Sequence, residues 1–274
     1  GDGFQTIIDH SDPDVMFATK QNGHINRSMD GGLTWDKSVS CGLTKTEWHT
    51  WIRMHPTYSN IIYCSGTQLV RSTSQGEEWE IILDPKQLAG DTLKTIFRFY
   101  LSESNPDVMY AYALAGDGAQ PVIFRTFNLN EDKPTRIKWE MLEVPRRGWL
   151  ASIAIDPDQP EKFWMSYISY KNEGKVYRYT GTKWVDIGEK LGYAVIEDMI
   201  VDQQSEERLY VGTNYGVFTR NKHEDEWSLL TGLPGAYVKS LVMNYATGKL
   251  VAGTYGRGVW QTDRYIAPVP LEED

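Results

Sequence analysis

Short apolar runs recur along the whole chain, and each is closed by Gly, Asp, Asn, Pro or Ser. Runs of this length bounded by turn-forming residues predict strands rather than helices. In the first stretch they place strands at 4–9, 14–20, 23–28 and 34–39. The same order then returns. An apolar run ending near Asp and Pro comes first, as in Ile7-Ile8-Asp9 before Asp12-Pro13 and in Ile153-Ala154-Ile155-Asp156-Pro157. A small-residue run follows, as in Phe17-Ala18-Thr19, Tyr110-Ala111-Tyr112 and Tyr210-Val211-Gly212-Thr213. An arginine-bearing run comes next: Ile25-Asn26-Arg27-Ser28, Leu69-Val70-Arg71-Ser72, Ile123-Phe124-Arg125-Thr126 and Val176-Tyr177-Arg178-Tyr179. A tryptophan closes each group, at 35, 79, 139, 184 and 227.

Six units line up on this basis, beginning near residues 4, 48, 94, 149, 194 and 237. Repeats of about 40–45 residues with four strands each are the signature of a β-propeller. One such sheet has two apolar faces, and stacking sheets side by side buries both. The fold class expected is therefore all-β, a propeller of four-stranded blades with six units visible, six- or seven-bladed when intact. The propeller is expected to span 1–265, with 266–274 a linker or tail, because Ala267-Pro268-Val269-Pro270 and Glu272-Glu273-Asp274 break the pattern. Unit one opens directly on its inner strand, and the sixth lacks both the closing tryptophan and a clear outer strand. The expectation drawn from this is that a blade or more precedes Gly1 in a larger parent protein.

The most specific motif is the first closing turn, Ser28-Met29-Asp30-Gly31-Gly32-Leu33-Thr34-Trp35. It fits S-x-D-x-G-x-T-W, the Asp box. A carboxylate here accepts backbone N–H groups that the sheet leaves free, glycine supplies unusual backbone angles, and the indole fills space between sheets. Ser28, Asp30, Gly32, Thr34 and Trp35 are thus expected to be structural, and Asp30 neither nucleophile nor metal ligand. The later copies depart from the pattern. The second has Ser74 at the Asp position, the third is stretched through Asn128, Asn130 and Lys133, and the fourth is shortened to Tyr179-Thr180-Gly181-Thr182-Lys183-Trp184. The tryptophan persists, which suggests that its packing matters more than the carboxylate. All five rings are expected to be buried between neighbouring blades.

With the repeat, these residues identify a resemblance. The chain resembles the Asp-box (BNR) repeat propellers, the superfamily of sialidases, two-propeller xyloglucanases, sortilin-type ectodomains and photosystem assembly factors. Within it, the chain is similar to the large secreted BNR-repeat proteins of Bacteroidetes-type bacteria. The residues that carry this are Gly1-Asp2-Gly3, Gln21-Asn22-Gly23, Tyr210-Val211-Gly212-Thr213 with Gly216-Val217, and Leu250-Val251-Ala252-Gly253-Thr254-Tyr255-Gly256-Arg257-Gly258-Val259-Trp260. The resemblance covers nearly all of the chain. It implies a secreted or cell-surface protein.

Composition narrows the function. The chain has 274 residues with 28 Lys and Arg against 37 Asp and Glu, a net charge of −9. Such an excess opposes nucleic acid and anionic membranes as partners. No run approaches the ~18 apolar residues of a membrane helix, so no membrane insertion is expected. Five scattered histidines and two cysteines offer neither a zinc site nor a disulfide framework. Gly1-Asp2-Gly3 and Ala115-Gly116-Asp117-Gly118 supply too few oxygens for calcium and read as turns. Neither a metal nor a cofactor is expected. Cys41 and Cys64 can be joined in principle, closing a loop worth about 3 kcal/mol. Two unpaired, partly buried thiols is the preferred reading, because Cys64 occupies a repeat position held elsewhere by Ala111 and Val211.

Candidate ligand contacts lie in the segments entering the inner strands, where a propeller channel opens. Trp48, Trp51, Arg53, Arg98, Trp149 and Tyr193 are the residues chosen there. Aromatic rings beside charged groups suit a sugar or a protein ligand, and the competing reading is that they pad the channel. A sialidase site needs three arginines for a carboxylate, a Tyr/Glu nucleophile pair and an acid. Only Arg53 and Arg98 fall on successive inner strands, and neighbours Glu197 and Asp198 would point to opposite faces. A xyloglucanase-like enzyme divides its two carboxylates between two propellers. The expected function is therefore a non-catalytic binding or structural module of a larger polypeptide, with a glycan or protein ligand. The alternative is a glycoside hydrolase subdomain.

Overall fold

The computed structural model of the chain describes residues 2–36, 39, 41–43, 48–90, 93–115 and 120–265. The tail expected at 266–274 and the turn at 116–118 lie outside the described residues. The chain divides into two compact units, Gly1–Arg147 and Gly148–Asp274. Unit 1 holds three antiparallel sheets: β1 (Gly3–Ile8), β2 (Met16–Lys20) and β3 (Ile25–Ser28); then β4 (Ile52–Met54), β5 (Ile62–Ser65), β6 (Leu69–Ser72) and β7 (Glu80–Leu83); then β8 (Leu93–Leu101), β9 (Met109–Ala115), β10 (Val122–Thr126) and β11 (Glu140–Glu143). Unit 2 holds three more: β12 (Trp149–Ile155), β13 (Phe163–Ile168), β14 (Val176–Tyr179) and β15 (Trp184–Asp186); then β16 (Ile196–Val201), β17 (Leu209–Thr213), β18 (Gly216–Arg220) and β19 (Ser228–Leu229); then β20 (Val238–Asn244), β21 (Lys249–Thr254) and β22 (Gly258–Asp263). Strands follow chain order within every sheet. These are six blades of a β-propeller, with first strands beginning at Gly3, Ile52, Leu93, Trp149, Ile196 and Val238.

Of the fourth strand expected at 34–39, the described residues 34–36 and 39 are not in a regular strand. Asp36 and Val39 nevertheless donate their N–H groups to Arg27 O and Ile25 O, both at 2.7 Å, so these two residues lie beside β3.

Burial is heaviest in the middle strands of the four-stranded sheets. The second strands β5, β13 and β17 are buried on both faces, apart from Ile168 at the end of β13, so their residues do not alternate apolar with polar. Outer strands β15 and β19 are two or three residues long and largely exposed, which limits edge pairing. Neighbouring sheets share their cores within each unit. Phe17, Ile25, Ile52, Ile62 and Val70 join the first two sheets, and Tyr63, Leu69, Phe99, Ala111 and Phe124 join the next two. In unit 2, Trp164, Met199 and Val211 join one pair, and Tyr210, Val238 and Leu250 the other. Each large apolar side chain so buried contributes about 1.5–3 kcal/mol.

Polar groups copy this stacking. The residue after the first strand is buried in five repeats: Asp9, His55, Ser102, Asp156 and Asp202. Each accepts N–H groups from the turn that follows. Asp9 Oδ1 takes Ser11 N and Asp12 N, Asp156 Oδ1 takes Asp158 N and Gln159 N, and Asp202 Oδ1 takes Gln204 N. His55 Nδ1 does the same work, accepting Thr57 N and Tyr58 N at 3.0 Å. Its Nε2 therefore carries the proton and donates to Asn130 Oδ1. Burial pushes the His55 pKa down, which keeps this acceptor neutral.

The closing turn is equally specific. Ser28 Oγ accepts Gly32 N at 2.9 Å, and Asp30 Oδ1 accepts Thr34 N at 2.8 Å. Hydrogen bonds from the Thr34 side chain and backbone hold the Asp30 carboxyl below its usual pKa. The second copy is not the degraded turn its sequence suggests. Ser72 Oγ accepts Gly76 N at 2.9 Å, and Ser74 Oγ replaces the carboxylate by accepting Glu78 N at 2.9 Å. In the third, Asn128 Oδ1 accepts Lys138 N across the insertion. The acceptor is kept while its chemistry changes. Gly76 has φ +88°, and a Cβ there would lie 2.9 Å from Val39 Cγ1, so backbone angle and neighbour both require glycine.

In unit 1, arginines lock the second and third of these turns to the preceding sheet. Arg27 Nη1 donates to Gln75 O at 3.1 Å, and Arg71 Nη1 to Leu129 O at 3.0 Å. Gln75 and Leu129 are equivalent, since their N–H groups bond Asn60 O and Asp107 O in matching turns. Arg71 also binds Glu80 Oε1 and Glu131 O.

The closing tryptophans correct one expectation. Trp79, Trp139 and Trp227 pack into the core shared with the preceding sheet. Trp139 and Trp227 also donate their indole N–H groups to that sheet's chain, at Ile82 O and Ile187 O. Trp35, by contrast, is 40% exposed and bonds Gly32 O in its own turn. Trp184 is half-buried and packs on Phe163 and Tyr179 of its own sheet. Both belong to the first sheet of their unit, where no preceding sheet of that unit covers the ring.

Two consequences are measurable by chemical denaturation. Trp227→Ala destabilises by about 3–5 kcal/mol through lost burial and a cavity, whereas Trp35→Ala costs no more than about 1.5 kcal/mol. Equal losses would show that the ring's surroundings are unimportant. Arg71→Ala strands the buried Leu129 carbonyl, also removes the bonds to Glu131 O and Glu80, and costs roughly 2–3 kcal/mol, while the more exposed Arg27→Ala costs under about 1 kcal/mol. Limited proteolysis of the arginine variant is expected to cut first at 130–136.

Candidate functional site

In unit 1, the loop ahead of β4 is tied down by Thr50. Its Oγ1 donates to Lys20 O and accepts Gly23 N, both at 2.8 Å, so the loop is anchored on the β2–β3 hairpin. Gln5 Oε1 accepts Ile52 N at 3.0 Å and aligns β1 with β4. These bonds set three aromatic rings in a column. Phe4 stacks on His49 with centroids 4.5 Å apart, and His49 stacks on Trp51 at 4.6 Å. The Arg98 guanidinium continues the column 4.6 Å from the Trp51 ring, and Arg53 lies 5.2 Å from it. Exposed Trp48 stands edge-on to Phe4 at 6.4 Å.

Arg98 owes its position to a bulge. The β8–β9 register slips between Ile96 and Arg98, leaving Phe97 as the extra residue, and a bulge of this kind re-aims the next side chain. Matching slips in β12, β16 and β20 single out Ala151, Glu197 and Lys239.

The column is electrostatically unusual in an acidic protein. Burial, then the charges of Arg98 and Arg53, lower the His49 pKa to about 4. The imidazole is neutral at physiological pH. Its Nε2 and the Trp51 Nε1 are buried and find no hydrogen-bond partner among the described residues. A donor, an acceptor, two planar cations and an exposed indole thus share one small area. Aromatic faces beside planar cations have the chemistry that suits a flat polar molecule bearing hydroxyl groups.

In unit 2, Tyr237 donates its hydroxyl proton to Glu197 Oε1, and Lys239 Nζ binds Glu197 Oε2 at 2.5 Å. Asp198 Oδ2 accepts Leu241 N at 2.9 Å. The sialidase reading asked for a Tyr/Glu pair, and here the two residue types do meet. However, desolvation and the hydrogen bond to Glu197 raise the Tyr237 pKa, which keeps the phenol protonated instead of activating it. Trp149, the first residue of β12, and Tyr193, in the loop before β16, are 59% and 67% exposed.

The structure therefore gathers Trp48, Trp51, Arg53 and Arg98 into one cluster and adds Phe4 and His49. Phe4 was read only as a strand start. The signal that marks it is its place on an inner strand next to Gln5, whose side chain crosses to β4. Among the described residues no group of three or more His, Cys, Asp or Glu side chains is arranged to hold a metal ion. No described helix is long and apolar enough to cross a membrane.

No family model matches the chain, and no curated protein is similar to it. Solved structures are similar at low identity. The GH74 enzyme of Niastella koreensis is 15% identical with a TM-score of 0.62, covering 94% of this chain and 42% of its own. The GH74 xyloglucanase of Xanthomonas campestris is 14% identical with a TM-score of 0.67, covering 96% and 45%. PorZ of Porphyromonas gingivalis, described as a bacterial surface component of the type-IX secretion system, is 14% identical with a TM-score of 0.64, covering 96% and 40%. The chain spans less than half the length of each. The likeness shows the fold, and the fold of this chain is that of a six-bladed β-propeller.

Proposed function

We propose that the chain is a non-catalytic binding module of the Asp-box (BNR) type, part of a larger secreted or cell-surface polypeptide, and that it holds a glycan on the platform of unit 1. The observation that carries this is the continuous Phe4–His49–Trp51–Arg98 stack with exposed Trp48 beside it. Sugar rings present C–H faces to the exposed Trp48 indole and hydroxyl groups to the half-buried Arg53 and Arg98. The turn chemistry at Ser28, Asp30 and Thr34 supports the Asp-box assignment. A surface protein among the structural neighbours supports the location.

A second reading is favoured by the two GH74 neighbours, of whose lengths this chain spans 42% and 45%. In it the chain is one part of a glycoside hydrolase. Against it, the paired acids of unit 2 are engaged, Glu197 by Tyr237 and Lys239 and Asp198 by Leu241 N.

A glycan array followed by calorimetry on the hit tests the reading. Trp48→Ala is expected to weaken binding roughly tenfold, as loss of one ring contact implies. Trp260→Ala, an exposed ring in unit 2, should leave affinity unchanged. Because the His49 pKa is about 4, affinity should stay level from pH 8 to pH 5 and change only nearer pH 4. Binding of a peptide but no glycan would move the ligand to the protein class. Sugar release by the chain or its longer parent, lost on mutating Glu197, would establish the enzyme instead.

A further inference from the structure

Cys41 lies in the segment leaving the first sheet, and Cys64 lies in the middle of β5 in the second. They are 23 residues apart, yet their sulfur atoms approach to 3.0 Å. That is closer than unbonded sulfurs ordinarily come, and about 1 Å from bonding distance. Each thiol's other contact is weak. Cys41 Sγ is 3.9 Å from Gly23 O, and Cys64 Sγ is 4.0 Å from Ser65 O. Both side chains sit in the apolar cluster that joins the two sheets, with Phe17, Ile25, Ile52 and Val70 around them. Cys64 is fixed there by its ladder partners Ile52 and Val70. The repeat position of Cys64 argued for a core thiol, but that position does not bar pairing, because Cys41 is brought to it.

We propose that Cys41 and Cys64 form a disulfide when the protein folds in the presence of a small disulfide oxidant, clasping the first sheet to the second. Before the core closes either cysteine can attack as its thiolate. In the Cys41 route it displaces one thiolate from an oxidised glutathione-type disulfide and forms a mixed disulfide. Cys64 then loses its proton and attacks the Cys41 sulfur, releasing the second small thiolate. Two protein thiols are oxidised to one disulfide, and one reagent disulfide is reduced to two thiols. Both sulfurs end 2% exposed or less, so exchange precedes closure of the core, and the finished bond is shielded from reductant.

The test is to unfold the full chain in urea with dithiothreitol and refold it with oxidised and reduced glutathione. The expected product has lost two hydrogens by intact mass, contains a proteolytic peptide joining Cys41 to Cys64, and shows no titratable thiol in urea. Its unfolding constant is expected to fall about a hundredfold relative to the reduced chain, as closure of a loop of this length implies. Dithiothreitol should release the thiols only after urea is added. Cys64→Ala should instead retain glutathione on Cys41. Native fluorescence with two free thiols, or with two glutathione adducts, overturns the proposal. So does an oxidised chain that unfolds at lower urea than the reduced one.

Discussion

A four-stranded sheet with two apolar faces cannot bury both by itself, and this structure depends on how each sheet meets the next. The apolar side of that contact is ordinary packing, with Phe17 against Ile62 and Tyr63 against Phe99 in shared clusters. The polar side makes it directional. Arg27 and Arg71 each stand opposite an aromatic residue, Phe17 and Tyr63, and each reaches past its own sheet to a carbonyl in the next closing turn. A guanidinium fits because it offers several donors in a fixed plane, and the turn offers carbonyls with no strand partner. Apolar contact alone would tolerate sliding, whereas these bonds set one register between neighbours.

The repeat was readable because its punctuation is local. A turn needs an acceptor, a glycine at positive φ and a ring, and all three fall within eight residues at Ser28–Trp35. Burial of the tryptophans was not readable, because it depends on the sheet before each ring and not on the turn that carries it. Trp35 and Trp227 have the same local role and opposite surroundings. The Ser74 and Asn128 turns misled in the other direction. Their residues differ from aspartate, yet their oxygen atoms stand where its carboxylate would.

The candidate platform divides in the same way. Residue types and approximate location were visible in Trp48, Trp51, Arg53 and Arg98, since aromatic and cationic residues cluster ahead of successive inner strands. Their mutual geometry was not. It rests on the bulge at Phe97, and a bulge exists only relative to a partner strand's register. The lowered pKa of His49 likewise comes first from burial and then from arginines on two different strands. Glu197 and Asp198 show the converse case. They are adjacent in sequence, yet partner selection by Tyr237, Lys239 and Leu241 separates their duties.

The buried position filled by Asp9, His55, Ser102, Asp156 and Asp202 carries a wider lesson. What the architecture specifies there is a lone pair at one point in space, and carboxylate, imidazole and hydroxyl all provide it. A residue alphabet records five positions with three spellings, while the backbone registers one constant. Any side chain that supplies that lone pair satisfies the backbone, so the five repeats share one geometry without sharing a residue, and shape is here a more constant property than the letters that encode it.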